Sequence, residues 1–403
     1  MHHIVVGSSA RPAVAARVML FRMEDSVNST LQRELMRALA ILILVPALTS
    51  GCIRVPRAVT TVPPGEWLVR QGDTRHTAFA AEHVPESVRI VWDEGMGRGL
   101  PATPIVHDDL IIAVISGGGI ITASATTGER YWSRRFNGAI AGQALRVADR
   151  IFIATQHRKG NVFALDVRRG RRLWGRDLDA RATAEPAYAD GVLFQPTDRG
   201  DVVALDAARG SVLWRTSIGG QTTLPPLVAG PNLLIAVRDT IVLMERAHGA
   251  VLRRVAIGSA PTAPLALSGD TIVVVGGNGT VSARAEHGAR LLWRHDVGGV
   301  VLAAPIIAPE GVYVLTRQAA LLRVTAGGVE TLAQLEGAAT ESLTLTASGL
   351  LVGLLDGRLL LVRRSGAVVW EQRVTGSLRA PSAVRDSSVY VATLGGRLVK
   401  LSP

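Results

Sequence analysis

Val162-Phe-Ala-Leu-Asp-Val-Arg-Arg-Gly-Arg-Arg-Leu-Trp174 and Val202-Val-Ala-Leu-Asp-Ala-Ala-Arg-Gly-Ser-Val-Leu-Trp214 are two copies of one pattern. In each, an apolar run ends at an acidic residue (Asp166, Asp206), a glycine follows (Gly170, Gly210), and a tryptophan closes the unit. Glycine supplies the positive φ that a tight hairpin needs. The acidic side chain ahead of it is placed to bond the amides of its own turn. The β-branched and apolar runs on either side read as strands.

The cadence recurs outward from these two copies. Thr127-Gly128 through Trp132, His287-Gly288 through Trp293 and Ser365-Gly366 through Trp370 repeat it, and Gly249 and Gly327 mark copies without Trp. The glycines at 128, 170, 210, 249, 288, 327 and 366 are separated by 42, 40, 39, 39, 39 and 39 residues. So regular a period, near forty, is the mark of a repeat architecture. Within one unit, Ala304 to Ala308, Gly311 to Thr316, Leu321 to Thr325 and Val329 to Leu335 are short runs bounded by turn residues, without helical period. Four short strands per repeat predict a propeller blade. The repeated Trp then falls on the outermost strand, where a flat ring fills the gap between neighbouring blades. Its recurrence from blade to blade speaks for packing rather than for a cofactor.

Counting closes a ring. Seven Gly-marked units end near Val374, and an eighth supplies three runs, Pro381 to Arg385, Ser388 to Thr393 and Arg397 to Leu401. Its fourth run lies at the other end of the chain, in Val88-Arg-Ile-Val-Trp92, which carries the Trp without the three runs before it. Pairing the two ends removes the open edges. The expectation is an all-β, eight-bladed propeller of four-stranded antiparallel blades over 88–403, the last blade closed by the N-terminal strand. Seven blades is the alternative count.

Ahead of the repeats, Ala38 to Leu48 is an apolar run too short to span a bilayer as a helix, preceded by Arg37 and followed by Thr49, Ser50, Gly51 and Cys52. This resembles a bacterial lipoprotein signal. The resemblance implies cleavage before Cys52, lipidation of its sulfur, and, with Ile53 next, an outer-membrane destination facing the periplasm. Residues 36–51 are accordingly read as the signal peptide and 1–35 as an extension or mis-assigned start. Residues 52–87, rich in Pro, Thr and Arg, are read as a tether that includes Trp67. Cys52 is the one cysteine of the chain, which excludes an internal disulfide and a multi-thiolate zinc site.

The chain carries 44 Lys and Arg against 33 Asp and Glu, a net charge of +11. Lys159 and Lys400 are the two lysines, so the excess is arginine. A GC-rich coding sequence is one source of such a bias; acidic partners or anionic lipid are the functional alternative. No nucleic-acid recognition motif accompanies the charge, so nucleic acid is not an expected partner. Arg168, Arg169, Arg171, Arg172, Arg209, Arg290, Arg363 and Arg364 fall at or beside equivalent turns and are expected on one rim, with Arg168, Arg169, Arg171 and Arg172 as candidate partner-binding residues.

Ala-Leu-Asp-x-x-x-Gly-x-x-x-Trp at forty-residue spacing resembles the PQQ-like (quinoprotein-type) propeller repeat. With the lipoprotein signal and one-domain size, the chain resembles the family's barrel-assembly lipoproteins. That resemblance implies a non-catalytic scaffold, monomeric within a larger complex, that binds the outer-membrane barrel insertase and assists barrel insertion. Two features depart from the pattern. Those lipoproteins carry a Leu-x-Leu-Arg contact stretch between the third and fourth blades, and here that connection is Gly219-Gly-Gln-Thr-Thr-Leu-Pro225. Leu178-Asp-Ala-Arg181 lies one blade earlier.

The same repeat builds quinone-dependent dehydrogenases, which carry long insertions and often adjacent cysteines that this chain lacks. A catalytic Asp and Ca²⁺ site would need Asp198, Asp201, Asp239 or Asp356 to converge, and turn chemistry accounts for these residues first. Gly117-Gly-Gly119 and Gly276-Gly-Asn-Gly279 read as hairpin turns, and neither His-Glu-x-x-His nor Gly-x-Ser-x-Gly occurs. No enzyme activity and no cofactor are expected. A sensor or ligand-binding subunit of another envelope complex is the alternative function.

Overall fold

Each forty-residue unit folds as four antiparallel strands. In the first blade these are Ile105–His107, Leu110–Ile115, Gly119–Ser124 and Arg130–Arg135, and successive strands pair in that order. The chain is described by a computed structural model over residues 79–80 and 82–403. The expectations for 1–35, 36–51, Cys52, Trp67 and the tether as far as residue 78 lie outside the described residues.

Eight such sheets follow one another, so the eight-bladed count holds. The eighth contains Ala383–Arg385, Ser388–Ala392 and Arg397–Ser402, and its outer strand is Arg89–Gly95 from the other end of the chain. The register runs antiparallel from Arg89 opposite Ser402 to Gly95 opposite Arg397.

The core lies between blades. The second and third strands are buried on both faces, as in Leu110–Ile115, where all but the first residue are buried. They therefore read as unbroken apolar runs, whereas outer strands such as Val212–Ser217 alternate exposed with half-buried residues. Leu145, Phe152 and Ala164 of the second blade pack against Leu193, Val203 and Leu205 of the third, all almost fully buried. Full burial of one such side chain stabilises by about 1.5–3 kcal/mol.

Because all blades run the same way, turns of one kind share a face. On what we call the turn face, the turn after the third strand bonds back to the turn after the first: Ala125 N–H to Asp109 O, Val167 N–H to Asp149 O, Ala207 N–H to Gly191 O. On the opposite, connection face, each inter-blade connection bonds the blade behind it and the blade ahead: Phe136 N–H donates to Gly118 O, and Gln156 N–H donates to Ala139 O.

The last residues before the outer strand also pack on the ring. Phe79–Ala80 pairs in parallel with the inner strand Ala339–Thr346 of the seventh blade. Val84 exchanges two hydrogen bonds with Ser348, at 2.9 and 2.7 Å, and Trp370 donates to Pro85 O at 2.9 Å. Of the segment read as a tether, the described end is thus a strap crossing the turn face.

Candidate interaction surface

The repeated Gly and Trp meet across blades. Gly170 sits against the indole of Trp132, one blade back, where an added Cβ would lie 2.7 Å from the ring. Gly210 meets Trp174 and Gly249 meets Trp214 in the same way, at 2.5 Å each. The indole N–H of each Trp then donates into the next blade: Trp132 to Val167 O at 3.1 Å, Trp174 to Ala207 O at 3.0 Å, Trp214 to Arg246 O at 3.1 Å. The expected gap-filling role of the Trp is what the structure shows. The expected acidic turn bonds are present too: Asp166 accepts from Arg169 N–H at 2.9 Å, and Asp206 from Ala208 and Arg209 N–H at 2.7 and 2.9 Å.

One turn corrects the pattern. Gly128, Gly170, Gly210, Gly249, Gly288 and Gly366 have positive φ as expected, but in the sixth blade Gly328, not Gly327, does. That turn is shorter, with Thr325 paired directly with Gly328, so the left-handed position moves by one residue.

Arginine has a structural use that sequence reading missed. Arg134 and Arg176 reach forward to Gly170 O and Gly210 O of the next blade, at 2.7 and 2.6 Å. Arg215, Arg254 and Arg294 reach back to Leu178 O, Ile218 O and Ile257 O of the preceding connection, at 2.8, 2.6 and 3.0 Å. Each donates to a carbonyl at a blade boundary, where charge-assisted bonds count for most. The signal was an Arg one or two places beyond the repeat's Trp position in several copies.

The eight turn arginines divide. Arg209 pairs with Asp206, Arg290 with Glu286, Arg363 with Glu86 and Arg364 with Glu310. Arg168, Arg169, Arg171 and Arg172 lie together on the single turn around Gly170, all exposed, and none pairs with a carboxylate among the described residues. The rim is therefore not one basic band. Carboxylates of the first turns, among them Asp109, Asp149 and Asp190, are interspersed with it. Burial raises the Asp109 carboxyl pKa, but hydrogen bonds from Thr126, Tyr131 and Ser124 outweigh burial and hold it down at about 2, so it stays an anion.

The acidic residues weighed for catalysis do not converge: Asp198 and Asp201 share one turn of the third blade, while Asp239 and Asp356 lie on turns of the fourth and seventh. Asp198 accepts from Arg181 N–H, Asp201 pairs with Arg215, and Asp356 binds Arg358. Among the described residues no three His, Cys, Asp or Glu side chains are grouped to hold a metal ion. Two surface concavities are an apolar groove of about 250 Å³ beside Trp214, Leu213 and Arg246, and a polar one of about 390 Å³ along Glu310, Arg323 and Glu330. The connections Gly219–Pro225 and Leu178–Arg181 both lie on the connection face, following the third and second blades as counted from the sequence.

Comparison with known proteins agrees with this architecture. The family model of the outer membrane protein assembly factor BamB matches residues 158–243 and 237–350. The structure of BamB from Moraxella catarrhalis superposes with a TM-score of 0.65 at 16% identity, covering 79% of this chain and 98% of that one. Quinohemoprotein alcohol dehydrogenase from Comamonas testosteroni superposes with a TM-score of 0.72 at 12% identity, covering 84% of this chain and 80% of that one. At these identities the likeness shows the fold. Quinohemoprotein alcohol dehydrogenase ADH IIB of Pseudomonas putida is 26% identical over 162 residues, 35% of this chain, and the match spans 22% of that enzyme's length.

Blades and boundary Trp residues together define an eight-bladed β-propeller whose repeat resembles that of the PQQ-like family. Within that family the chain resembles the outer membrane protein assembly factor BamB.

Proposed function

We propose that this chain is a non-catalytic scaffold of the bacterial envelope. It is lipid-anchored through Cys52 in the outer membrane, faces the periplasm, and assists insertion of outer-membrane β-barrels by binding the barrel insertase. The observation that carries the reading is the match of residues 158–350, four complete blades and parts of two more, to the BamB family model. The surface is consistent with a scaffold: turns are short, and the acidic side chains weighed for catalysis are occupied in local bonds.

Crosslinking in the native host followed by purification tests it. Recovery of a barrel insertase supports the reading; recovery of a different envelope complex replaces it with a sensor or ligand-binding subunit of the same repeat family. A quinone-dependent oxidoreductase is the second reading, favoured by the similarity to quinohemoprotein alcohol dehydrogenases. Titration with quinone and Ca²⁺ separates the two, because a scaffold gives no saturable quinone signal.

A further inference from the structure

We propose that the turn around Gly170 is a membrane contact, in which Arg168, Arg169, Arg171 and Arg172 dock on anionic lipid headgroups and turn the strap-bearing face toward the bilayer. The four guanidinium groups occupy four of five consecutive positions, are exposed, and have no carboxylate partner among the described residues. A fifth cation, Arg134, is held at the same turn by its bond to Gly170 O at 2.7 Å. Several other arginines of the turn face are neutralised locally, as in the pairs Arg246–Asp190, Arg290–Glu286 and Arg364–Glu310. This turn therefore carries the densest run of arginines without a carboxylate partner among the described residues of the face.

The neighbouring side chains are of the kind that enter a bilayer interface. Tyr131 and Leu173, each next to a boundary Trp, are 53% and 38% exposed. An apolar body beside cations is the chemistry of interfacial binding. The charges also project from a hairpin tip, a convex shape that suits an array of lipid phosphates, to which guanidinium binds bidentately.

The strap gives the orientation a second support. Glu82 O accepts from Ala347 N–H, Val84 binds Ser348, and Glu86 pairs with Arg363. All three partners belong to turns of the seventh blade on the same face as the Gly170 turn, so the chain leading to the N-terminus joins the propeller on the side proposed to meet the membrane.

The test is flotation of the full chain carrying Cys52→Ser, which makes it independent of lipidation, with phosphatidylcholine vesicles that contain or lack phosphatidylglycerol. Retention by the phosphatidylglycerol vesicles alone is expected, weakening as salt rises. Each guanidinium near an anionic surface contributes roughly a fivefold factor in partitioning. Substituting Arg168, Arg169, Arg171 and Arg172 together by Gln should then lower retention at least tenfold. The same number of charges removed from the connection face, as Arg158→Gln, Lys159→Gln, Arg199→Gln and Arg238→Gln, should leave retention nearly unchanged. Equal loss in the two variants, or no retention by either vesicle, overturns the proposal. If the vesicles do not retain the chain and the four turn substitutions instead abolish a protein crosslink in the native envelope, the turn docks an acidic protein surface and the membrane contact is wrong.

Discussion

At the scale of single residues, glycine carries two separate demands in this fold. Gly170 needs φ near +64° and also clearance for an indole from the previous blade, whereas Gly191 has φ near +83° with nothing within 4 Å of an added Cβ. Left-handed backbone costs a side chain about 1–2 kcal/mol, and forcing an atom into a packed boundary adds about 1–3 kcal/mol. Gly191→Ala is therefore expected to cost about 1 kcal/mol and Gly170→Ala about 3, read as the shift of the urea midpoint. Equal shifts would mean that the Trp contact is loose. The repeat made the first demand legible, because a turn between two apolar runs calls for glycine. The second was not, since Trp132 and Gly170 meet only when two blades stand side by side. The arginines show the same limit: one rim in the sequence, four paired and four unpaired in the structure, with Arg363–Glu86 joining residues 277 positions apart.

At the scale of the element, the outer strand contains a feature that its own sequence does not announce. Every outer strand carries a bulge, and in all but the sixth blade it stands immediately before the Trp position: Val91, Tyr131, Leu173, Leu213, Leu252, Leu292 and Val369 are each skipped in the pairing. A bulge twists an exposed edge away from flat pairing with another chain, which protects the eight outer edges of the ring. It also separates the fates of adjacent residues. Leu213 is 47% exposed, while Trp214 is packed on Gly249 and bonded to Arg246 O. Leu213→Lys should change stability by less than about 0.5 kcal/mol, and Trp214→Ala should cost about 3 kcal/mol. Denaturation monitored by tryptophan fluorescence checks both, and a large effect of Leu213→Lys would place that side chain in the boundary instead. The strand itself was readable from its apolar run and Trp; the extra residue was not, because a bulge is defined by the partner's register.

At the scale of the whole molecule, the ring depends on its two chain ends meeting. The strap substitutes for the turn that the eighth blade lacks: Trp370 bonds Pro85 O where Trp132, Trp174 and Trp214 bond a turn carbonyl of the next blade. A chain that starts at Met96 loses this cap and the outer strand Arg89–Gly95, leaving the edge of Arg397–Ser402 open. Such a chain is expected to associate or lose cooperative unfolding, seen by size-exclusion chromatography and urea titration, whereas one that starts at residue 79 stays a monomeric propeller. A stable monomer from Met96 would show that seven complete blades close without the eighth's fourth strand.

The amino-acid sequence alone determined the strand content, the forty-residue period, the eight blades and the closing of the last by Val88 to Trp92. Each of these rests on local hairpins or on a count. The tertiary structure decided which turn arginines are neutralised, which glycines bear an indole, where the strap crosses and on which face the uncompensated charge lies. Those contacts join repeats about forty residues apart or opposite chain ends, and a repeat that encodes one blade has no way to record what the next blade places against it.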